Sequence, residues 1–221
     1  MIGTLRIRRS AKKRIPIFYL EGSVILDQEW YPHQLARMAG TLMEARKWKI
    51  APDKSLLEHK KFGLVLLPEH AYLMAHEWST WQRTYTPVSI VGKSVLDVGA
   101  GCGETAYFYF RKGARKVICV EPNMNAVECL KRNAARHSWN VEIVPEPFKL
   151  EILDEYRFDF MKMDGEGCER ELLRLDELPC TAIVESHSPE LTVALTDQFK
   201  AKILATLSAK VSLLLISNRI S

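Results

Sequence analysis

Apolar and polar residues follow a regular pattern from residue 93 to the end of this 221-residue chain. Short apolar runs of strand length are separated by segments whose apolar residues recur at helical spacing. The predicted strands are Val95–Val98, Lys116–Glu121, Val141–Val144, Phe158–Met163, Thr181–Glu185 and Val211–Ser217. The predicted helices are Glu104–Lys112, a segment from the cap Asn123 to about His137, a segment following Gly167 through Leu175, and one that begins at Pro189. This alternation predicts an α/β fold with a doubly wound, mainly parallel sheet.

The first ninety residues have a weaker and more mixed pattern, which predicts an N-terminal α+β extension. The predicted elements are strands at Leu5–Arg8 and Ile15–Leu20, a helix at Pro32–Lys47, an apolar run at Phe62–Leu67 and a helix from Glu69 to about Trp81. We therefore expect two parts, an extension over residues 1–90 and a ligand-binding domain over residues 91–221. The extension is a candidate for substrate recognition or for a lid.

Composition favours a soluble globular protein, with 47% hydrophobic and 26% charged residues. The five cysteines form no C-x-x-C pair, and their odd number argues against a disulfide framework, so a reducing, cytoplasmic setting is expected. The apolar run Ile15–Leu20 is too short for a signal peptide or a membrane span, so no membrane partner is expected. The net charge of +4 fixes no nucleic-acid partner. The basic segment Met1–Arg14 allows one, but it fits a solvated strand edge equally well. The sequence leaves the oligomeric state open.

A glycine loop follows the first strand of the regular region. The segment Ser94–Ala106 carries Gly99, Gly101 and Gly103 in the spacing G-x-G-x-G, and Asp97 precedes the first glycine by two residues. Glycine permits positive φ and close approach of a ligand to the backbone, and helix N-terminal amides attract electron-rich groups. A dinucleotide fingerprint would read G-x-G-x-x-G. A carboxylate at Asp97 would repel a pyrophosphate but could meet the cationic amino group of a ligand.

An acidic residue ends the second strand about twenty residues beyond this loop. Glu121 stands where a carboxylate can accept both hydroxyls of a ribose, and Pro122 follows it. A ligand with a ribose and a charged amino-acid end but no pyrophosphate is S-adenosylmethionine. The sequence therefore predicts S-adenosylmethionine as the cofactor.

The motifs in this region resemble those of a known superfamily. VLDVGAGCGETA and VICVEPN resemble the first two signature motifs of the class I S-adenosylmethionine-dependent methyltransferases. FDFMKMDGEGCERELL resembles the K-x-D-x-E-G-x-E pattern of the FkbM-type methyltransferases, and AIVESH resembles the fifth strand of that family. The matching positions of the pattern are Lys162, Asp164, Glu166, Gly167 and Glu169. The resemblance covers about residues 85–190 and implies a Rossmann-like methyltransferase fold that O-methylates a hydroxyl of a small molecule or glycan.

The resemblance also implies further cofactor contacts. Tyr85 precedes the first motif in a segment that often folds over the cofactor in this superfamily, and Asp164 is a candidate cofactor contact. At the end of the third strand, where adenine is commonly contacted, the candidates are Glu146 and Phe148. The stretch around them is short and interrupted by prolines, which departs from the family. The chain also ends soon after Ser217, so the hairpin that closes the sheet is expected to be abbreviated.

Three residues at predicted strand ends are candidates for catalysis. Asp164, Glu166 or His187 could act as a base that removes a hydroxyl proton. Two or three of them could instead bind a divalent metal together with Glu185, although the sequence assigns no metal site. Simpler roles are a cofactor contact for Asp164, an acidic helix start for Glu166 and a loop hydrogen bond for His187.

Two other functions stay open at this stage. An RNA (tRNA) methyltransferase would explain the basic first fourteen residues. Against it, the fourth strand lacks an Asn/Asp-Pro-Pro-aromatic motif, and Asp164 and Glu166 place negative charge where a phosphate backbone would approach. A binding protein that keeps the nucleoside fold without methyl transfer is the third hypothesis, and it would need no group that activates a nucleophile.

Overall fold

The computed structural model describes residues 16–19, 22–25, 47–51 and 56–217. The chain divides into two compact units, residues 1–78 and 79–221. The predicted division into an extension over residues 1–90 and a ligand-binding domain over residues 91–221 stays a prediction. The predicted strand at Leu5–Arg8 and most of the predicted helix at Pro32–Lys47 lie outside the described residues.

The first unit contains two small antiparallel arrangements. Strands β1 (Pro16–Tyr19) and β2 (Gly22–Ile25) form a hairpin in which Tyr19 pairs with Gly22. Strand β1 lies within the predicted strand Ile15–Leu20. Strands β3 (Trp48–Ile50), β4 (Leu57–His59) and β5 (Val65–Leu66) form a second sheet in that order. Helix α1 (Pro68–Thr84) begins with proline in its first turn and is longer than predicted.

The second unit is built on a seven-stranded sheet. Its strands are β6 (Ser94–Val98), β7 (Lys116–Val120), β8 (Val141–Val144), β9 (Phe160–Met163), β10 (Thr181–Ser186), β11 (Lys202–Thr206) and β12 (Ser212–Ile216). The spatial order is β11-β12-β10-β9-β6-β7-β8, and β12 runs antiparallel between β10 and β11. The remaining neighbouring pairs are parallel. The fold is thus α/β with a mainly parallel sheet, as predicted.

Helices connect the parallel strands. They are α2 (Glu104–Arg111), α3 (Met124–His137), α4 (Glu151–Glu155), a 3₁₀ helix (Cys168–Arg174) and α5 (Pro189–Phe199). The side chain of Asn123 caps α3 by accepting from the amides of Asn125 and Ala126, and Ser188 caps α5 through Leu191. On one side of β6 the sheet continues with β7 and β8, and on the other side it continues with β9 and β10. Right-handed connections therefore place helices on both faces of the sheet.

Two predictions about local structure need correction, and one helix was not predicted. The closing hairpin is complete, since β11 and β12 are each five residues long. The segment after Gly167 forms a 3₁₀ helix rather than an α-helix, and it ends at Arg174. The proline-containing stretch before β9 includes α4, which the sequence pattern did not predict. All five cysteines are free thiols, and four of them are buried.

The strand order reverses between β6 and β9. Gly99 permits the loops that follow these two strands to approach each other closely. The Asp164 amide donates to the Val98 carbonyl at 3.0 Å. A Cβ on Gly99 would overlap the carbonyl oxygen of Asp164. Gly99 also has a φ of +72°, so a side chain is excluded both by space and by backbone conformation. The loops after β6 and β9 therefore meet directly at the switch point, where ligands bind in sheets of this kind.

We predict that Gly99→Ala lowers the free energy of unfolding by more than about 3 kcal/mol, because the loops must separate to admit the methyl group. Gly92→Ala is the matched control. Gly92 has the same φ of +72°, but its Cβ would have no neighbour within 4 Å, so only the backbone cost of about 1–2 kcal/mol applies. Urea unfolding of both variants measures the difference, and equal losses would show that the contact with Asp164 is unimportant.

Candidate active site at the switch point

The glycine loop lies between the carboxyl end of β6 and the start of α2. Gly99, Gly101 and Gly103 all have positive φ, at 72°, 55° and 89°. Gly103 is the N-cap of α2 and supplies no side-chain hydrogen bond to the helix amides, unlike Asn123 at α3. A Cβ on Gly103 would also lie 2.5 Å from Leu130 Cδ1, so the loop packs closely on α3. The helix amides at this end have no side-chain cap, and they fit the carboxylate of an amino-acid ligand.

Asp97 is fully buried below this loop, and it contacts an ammonium of the protein itself. Its Oδ2 accepts a hydrogen bond of 2.6 Å from the Thr105 hydroxyl, and its Oδ1 lies 3.3 Å from Lys162 Nζ. Burial raises the pKa of Asp97 to about 6, although Lys162 and Thr105 oppose the shift. The cation beside Asp97 is therefore Lys162, and a direct contact with the cofactor stays a prediction.

Lys162 lies on β9 with only 1% of its side chain exposed. Its ammonium donates to the carbonyl of Gly99 at 3.0 Å and of Val98 at 3.3 Å, and it lies 3.9 Å from Asp164 Oδ2. Burial alone would lower the pKa of Lys162, but the carboxylates of Asp97 and Asp164 outweigh burial and raise it above its usual value. The lysine thus stays charged and ties the end of β6 to the end of β9.

Glu121 holds the glycine loop from the end of β7. Its Oε2 accepts from the Gly101 amide at 2.9 Å, and its Oε1 accepts from the Asn123 amide at 2.8 Å. Each carboxylate oxygen has a second acceptor position, so the predicted ribose contact fits this geometry. Pro122 is exposed between Glu121 and the cap of α3. The contacts of Glu121 and Pro122 with a cofactor stay predictions.

The predicted catalytic residues converge beside this loop. His187 Nε2 lies 3.4 Å from Asp164 Oδ1 and 4.0 Å from Glu166 Oε2, and its Nδ1 lies 2.7 Å from Glu169 Oε1. Glu185 adds a carboxylate oxygen 3.9 Å from Nε2. Glu169 is completely buried, whereas the side chain of Glu166 is 88% exposed. Four carboxylates therefore surround one imidazole.

This arrangement determines the charge of His187. The hydrogen bond to Glu169 is the main cause that raises the pKa of His187 to about 9, with further contributions from the charges of Asp164 and Glu166. Burial opposes the shift. At neutral pH the free protein therefore holds an imidazolium here. Such a group is better suited to orienting a partner than to removing a proton, which leaves Asp164 and Glu166 as the stronger candidates for a base.

Tyr85, which directly follows helix α1, belongs to the same cluster. It is almost completely buried, it stacks on Trp81 at 5.6 Å between ring centroids, and its hydroxyl donates to Glu185 Oε2 at 3.3 Å. Lys162 Nζ lies 5.9 Å from the ring centroid of Tyr85. Trp81 in turn packs edge-on against Phe108. Tyr85 is thus placed beside the carboxylates, and its predicted cofactor contact stays untested.

The two candidates for adenine contact differ in their surroundings. Glu146 is partly exposed and forms an ion pair of 2.6 Å with Lys149. Phe148 is buried in the core cluster that surrounds the central strands. Packing accounts for Phe148, and Glu146 stays the predicted contact.

Two residues have roles that sequence reasoning missed. Lys162 and Glu169 were matched as motif positions, but neither was expected to be a buried charged partner. A lysine between Met161 and Met163 on a buried strand is the signal that could have identified the first, since a buried ammonium requires counter-charges. Glu169 carried no comparable signal, because its partner His187 lies eighteen positions away.

Comparison with known proteins shows what part of the second unit is similar to. Residues 85–163 match the sequence model of one family, the methyltransferase small domain. The match covers 79 of the 221 residues, and over this segment the chain is similar to a methyltransferase domain. The match supports an S-adenosylmethionine-dependent methyltransferase, which is the enzyme class and cofactor predicted from the glycine loop and Glu121. The FkbM subfamily is not identified by this match.

The chain is also similar to a curated viral protein and to solved structures. Uncharacterized protein 158B of Sulfolobus islandicus rod-shaped virus 1 is 24% identical over 95 residues, which are 43% of this chain and 60% of that protein. The ribosomal protein L11 methylase of Lactobacillus delbrueckii subsp. bulgaricus is 20% identical over 58% of this chain and 71% of that chain, with a TM-score of 0.47. The 16S rRNA N2 G1207 methyltransferase (RsmC) of T. thermophilus, in complex with AdoMet and guanosine, is 16% identical over 98% of this chain and 52% of that chain, with a TM-score of 0.45.

We predict that Lys162→Met is strongly destabilising, because it leaves the carboxylate of Asp97 buried without its cation. The free energy of unfolding should fall by about 3–5 kcal/mol at pH 8. The loss should be smaller at pH 5. The folded-state pKa of Asp97 then lies well above its usual 3.8, so folding binds a proton, and stability declines as the pH rises through the folded-state value. Urea unfolding at both pH values measures the effect.

Lys149→Met provides the control, since Lys149 pairs with Glu146 at the surface and should contribute at most about 1 kcal/mol. Adding Asp97→Asn to Lys162→Met should restore part of the lost stability at pH 8. A loss for Lys162→Met that is independent of pH would contradict the proposed pairing.

Proposed function

We propose that this protein transfers the methyl group of S-adenosylmethionine to a hydroxyl of a small molecule or glycan, as its resemblance to the FkbM-type methyltransferases suggests. The observation that carries the proposal is the convergence of Asp164, Glu166, Glu185 and His187 beside the glycine loop. Carboxylates close to a developing nucleophile favour loss of a hydroxyl proton. The proposal extends to a cytoplasmic location, which the free thiols support. Among the described residues, no helix has the length and apolar character needed to cross a membrane.

In this proposal, different groups around the glycine loop bind different parts of the cofactor. The amides at the start of α2 would receive its carboxylate, and Glu121 would accept from its ribose hydroxyls. Asp97 and Lys162 would fix the loop rather than contact the reacting atoms. S-adenosylmethionine supplies an electrophilic methyl group on a sulfonium, so holding the acceptor oxygen close to it supplies much of the rate.

The carboxylates would receive the proton that the acceptor loses. As the acceptor oxygen bonds to the methyl carbon, the carbon–sulfur bond breaks and its electron pair stays on sulfur. The hydroxyl proton would pass to Asp164, which is partly buried, or to Glu166, which is exposed to solvent. Glu166 has a φ of +54°, a strained conformation for a glutamate and one that is often found at functional sites. Acceptor recognition is assigned in this proposal to the N-terminal part, residues 1–90.

The first test is cofactor binding by calorimetry, with S-adenosylmethionine expected to bind and NAD not. Glu121→Ala should weaken S-adenosylmethionine binding by about 1–3 kcal/mol, because the ribose hydroxyls lose their acceptor. Glu121→Gln keeps one carbonyl oxygen and should have a smaller effect.

Glu128→Ala serves as the matched control, because Glu128 is exposed on α3 and pairs with Lys131 at the surface. Its variant should bind as the natural protein does. Binding of NAD in place of S-adenosylmethionine would disprove the proposal, and an unchanged affinity in Glu121→Ala would remove Glu121 from the site.

RNA methylation is the second candidate function. One observation favours it, namely the six basic and no acidic residues in the first fourteen positions. The carboxylate cluster opposes it, because a phosphate backbone would be repelled at the site. We predict no detectable binding of tRNA at 50 mM salt in a filter-binding assay. Binding that falls steeply between 50 and 200 mM salt would favour RNA as the acceptor instead.

A further inference from the structure

Three side chains bring one atom each to a common point at the ends of β9 and β10. His187 Nε2 lies 3.4 Å from Asp164 Oδ1 and 3.9 Å from Glu185 Oε1. One ligand atom from each of these residues lies within 4.8 Å of the others. Ligands bonded at about 2.0–2.2 Å to one ion are about 3–3.5 Å apart in tetrahedral or octahedral geometry. A small contraction of this cluster would therefore meet the requirement.

A second atom of each of these three side chains contacts a buried residue. These contacts fix the orientation of the three potential ligand atoms, and they are an observation independent of the distances between those atoms. His187 Nδ1 contacts Glu169 at 2.7 Å, and Glu169 is completely buried. Glu185 Oε2 accepts from the hydroxyl of the buried Tyr85. The contacts that orient Asp164 follow the same pattern, with its Oδ2 facing the ammonium of Lys162 at 3.9 Å while Oδ1 faces His187.

This pattern is the one by which proteins orient metal ligands. A histidine that binds a metal through one ring nitrogen almost always donates the other N–H to a carboxylate or carbonyl, which fixes the tautomer and the direction of the ring. Glu169 has this relation to His187. Its Oε2 is buried and makes no hydrogen bond. The contact of Oε1 with His187 is therefore the main interaction that compensates for burying this carboxylate.

We propose that Asp164, Glu185 and His187 form a binding site for one divalent cation of the Mn²⁺ or Zn²⁺ kind. One imidazole nitrogen and two carboxylate oxygens suit such an ion, and three protein ligands leave positions open for a hydroxyl oxygen. A cation would also neutralise the surplus negative charge to which Glu166 and Glu169 contribute. That the open position receives the acceptor hydroxyl rests on the proposed function, whereas binding of the ion does not.

The test is a titration of the full chain with Mn²⁺, without S-adenosylmethionine, followed by electron paramagnetic resonance. We expect one Mn²⁺ per chain and a pulsed-resonance signature of a histidine nitrogen coupled to the ion, and Zn²⁺ should displace it. Glu185→Gln and His187→Gln should each weaken binding at least tenfold. Glu177→Gln removes one acidic residue from an exposed loop and should leave the affinity unchanged.

The nitrogen coupling is measured on the natural protein, so the test holds even if a variant fails to fold. Absence of Mn²⁺ and Zn²⁺ binding at millimolar concentration, absence of nitrogen coupling, or equal affinity in the folded variants would each overturn the site. The same experiments distinguish a failure of the metal site from a failure of the proposed function. An ion that binds without any S-adenosylmethionine binding would support the site and disprove the methyltransferase.

Discussion

The buried ammonium of Lys162 is the interaction on which the geometry of the candidate site depends. It lies beneath the switch point of the sheet and contacts Asp97, Asp164 and the backbone carbonyls of Val98 and Gly99. In a medium of low polarity neither the lysine nor Asp97 can lose its partner without a large penalty. The same ion pair therefore fixes the loop that precedes α2 and the loop that follows β9. The proposed binding of the methyl donor and the placement of the carboxylates would thus both depend on this one residue.

A second buried charged contact fixes the next strand end. Glu169, in the 3₁₀ helix after β9, holds the ring of His187 at the end of β10. Gly167 is the N-cap of this 3₁₀ helix, and its φ of +112° lets the chain turn within a few residues of Asp164. Glu166 precedes it with its own positive φ and extends into solvent. The short segment that follows β9 thus carries both an exposed carboxylate, that of Glu166, and a buried one, that of Glu169.

Local patterns predicted much of this arrangement. The strands β6 to β10, the cap at Asn123 and the glycine loop all follow from periodicity and from residues with strong backbone preferences. The edge strand β11 was missed because its side chains are mostly exposed and show no apolar run. The partner of Asp97 was missed for a different reason. Lys162 lies sixty-five positions further along the chain, and only the parallel pairing of β6 with β9 brings the two together.

The surplus of negative charge beside the glycine loop limits what the site can accept. Asp164, Glu166, Glu169 and Glu185 surround His187, and the proton on the imidazole compensates only part of their charge. In the free protein this imbalance raises the pKa of His187 to about 9, mainly through Glu169. The same imbalance attracts any cation that reaches the cluster and repels phosphate. A neutral acceptor oxygen, activated by carboxylates or by a bound cation, meets this electrostatic condition better than a polyanion does.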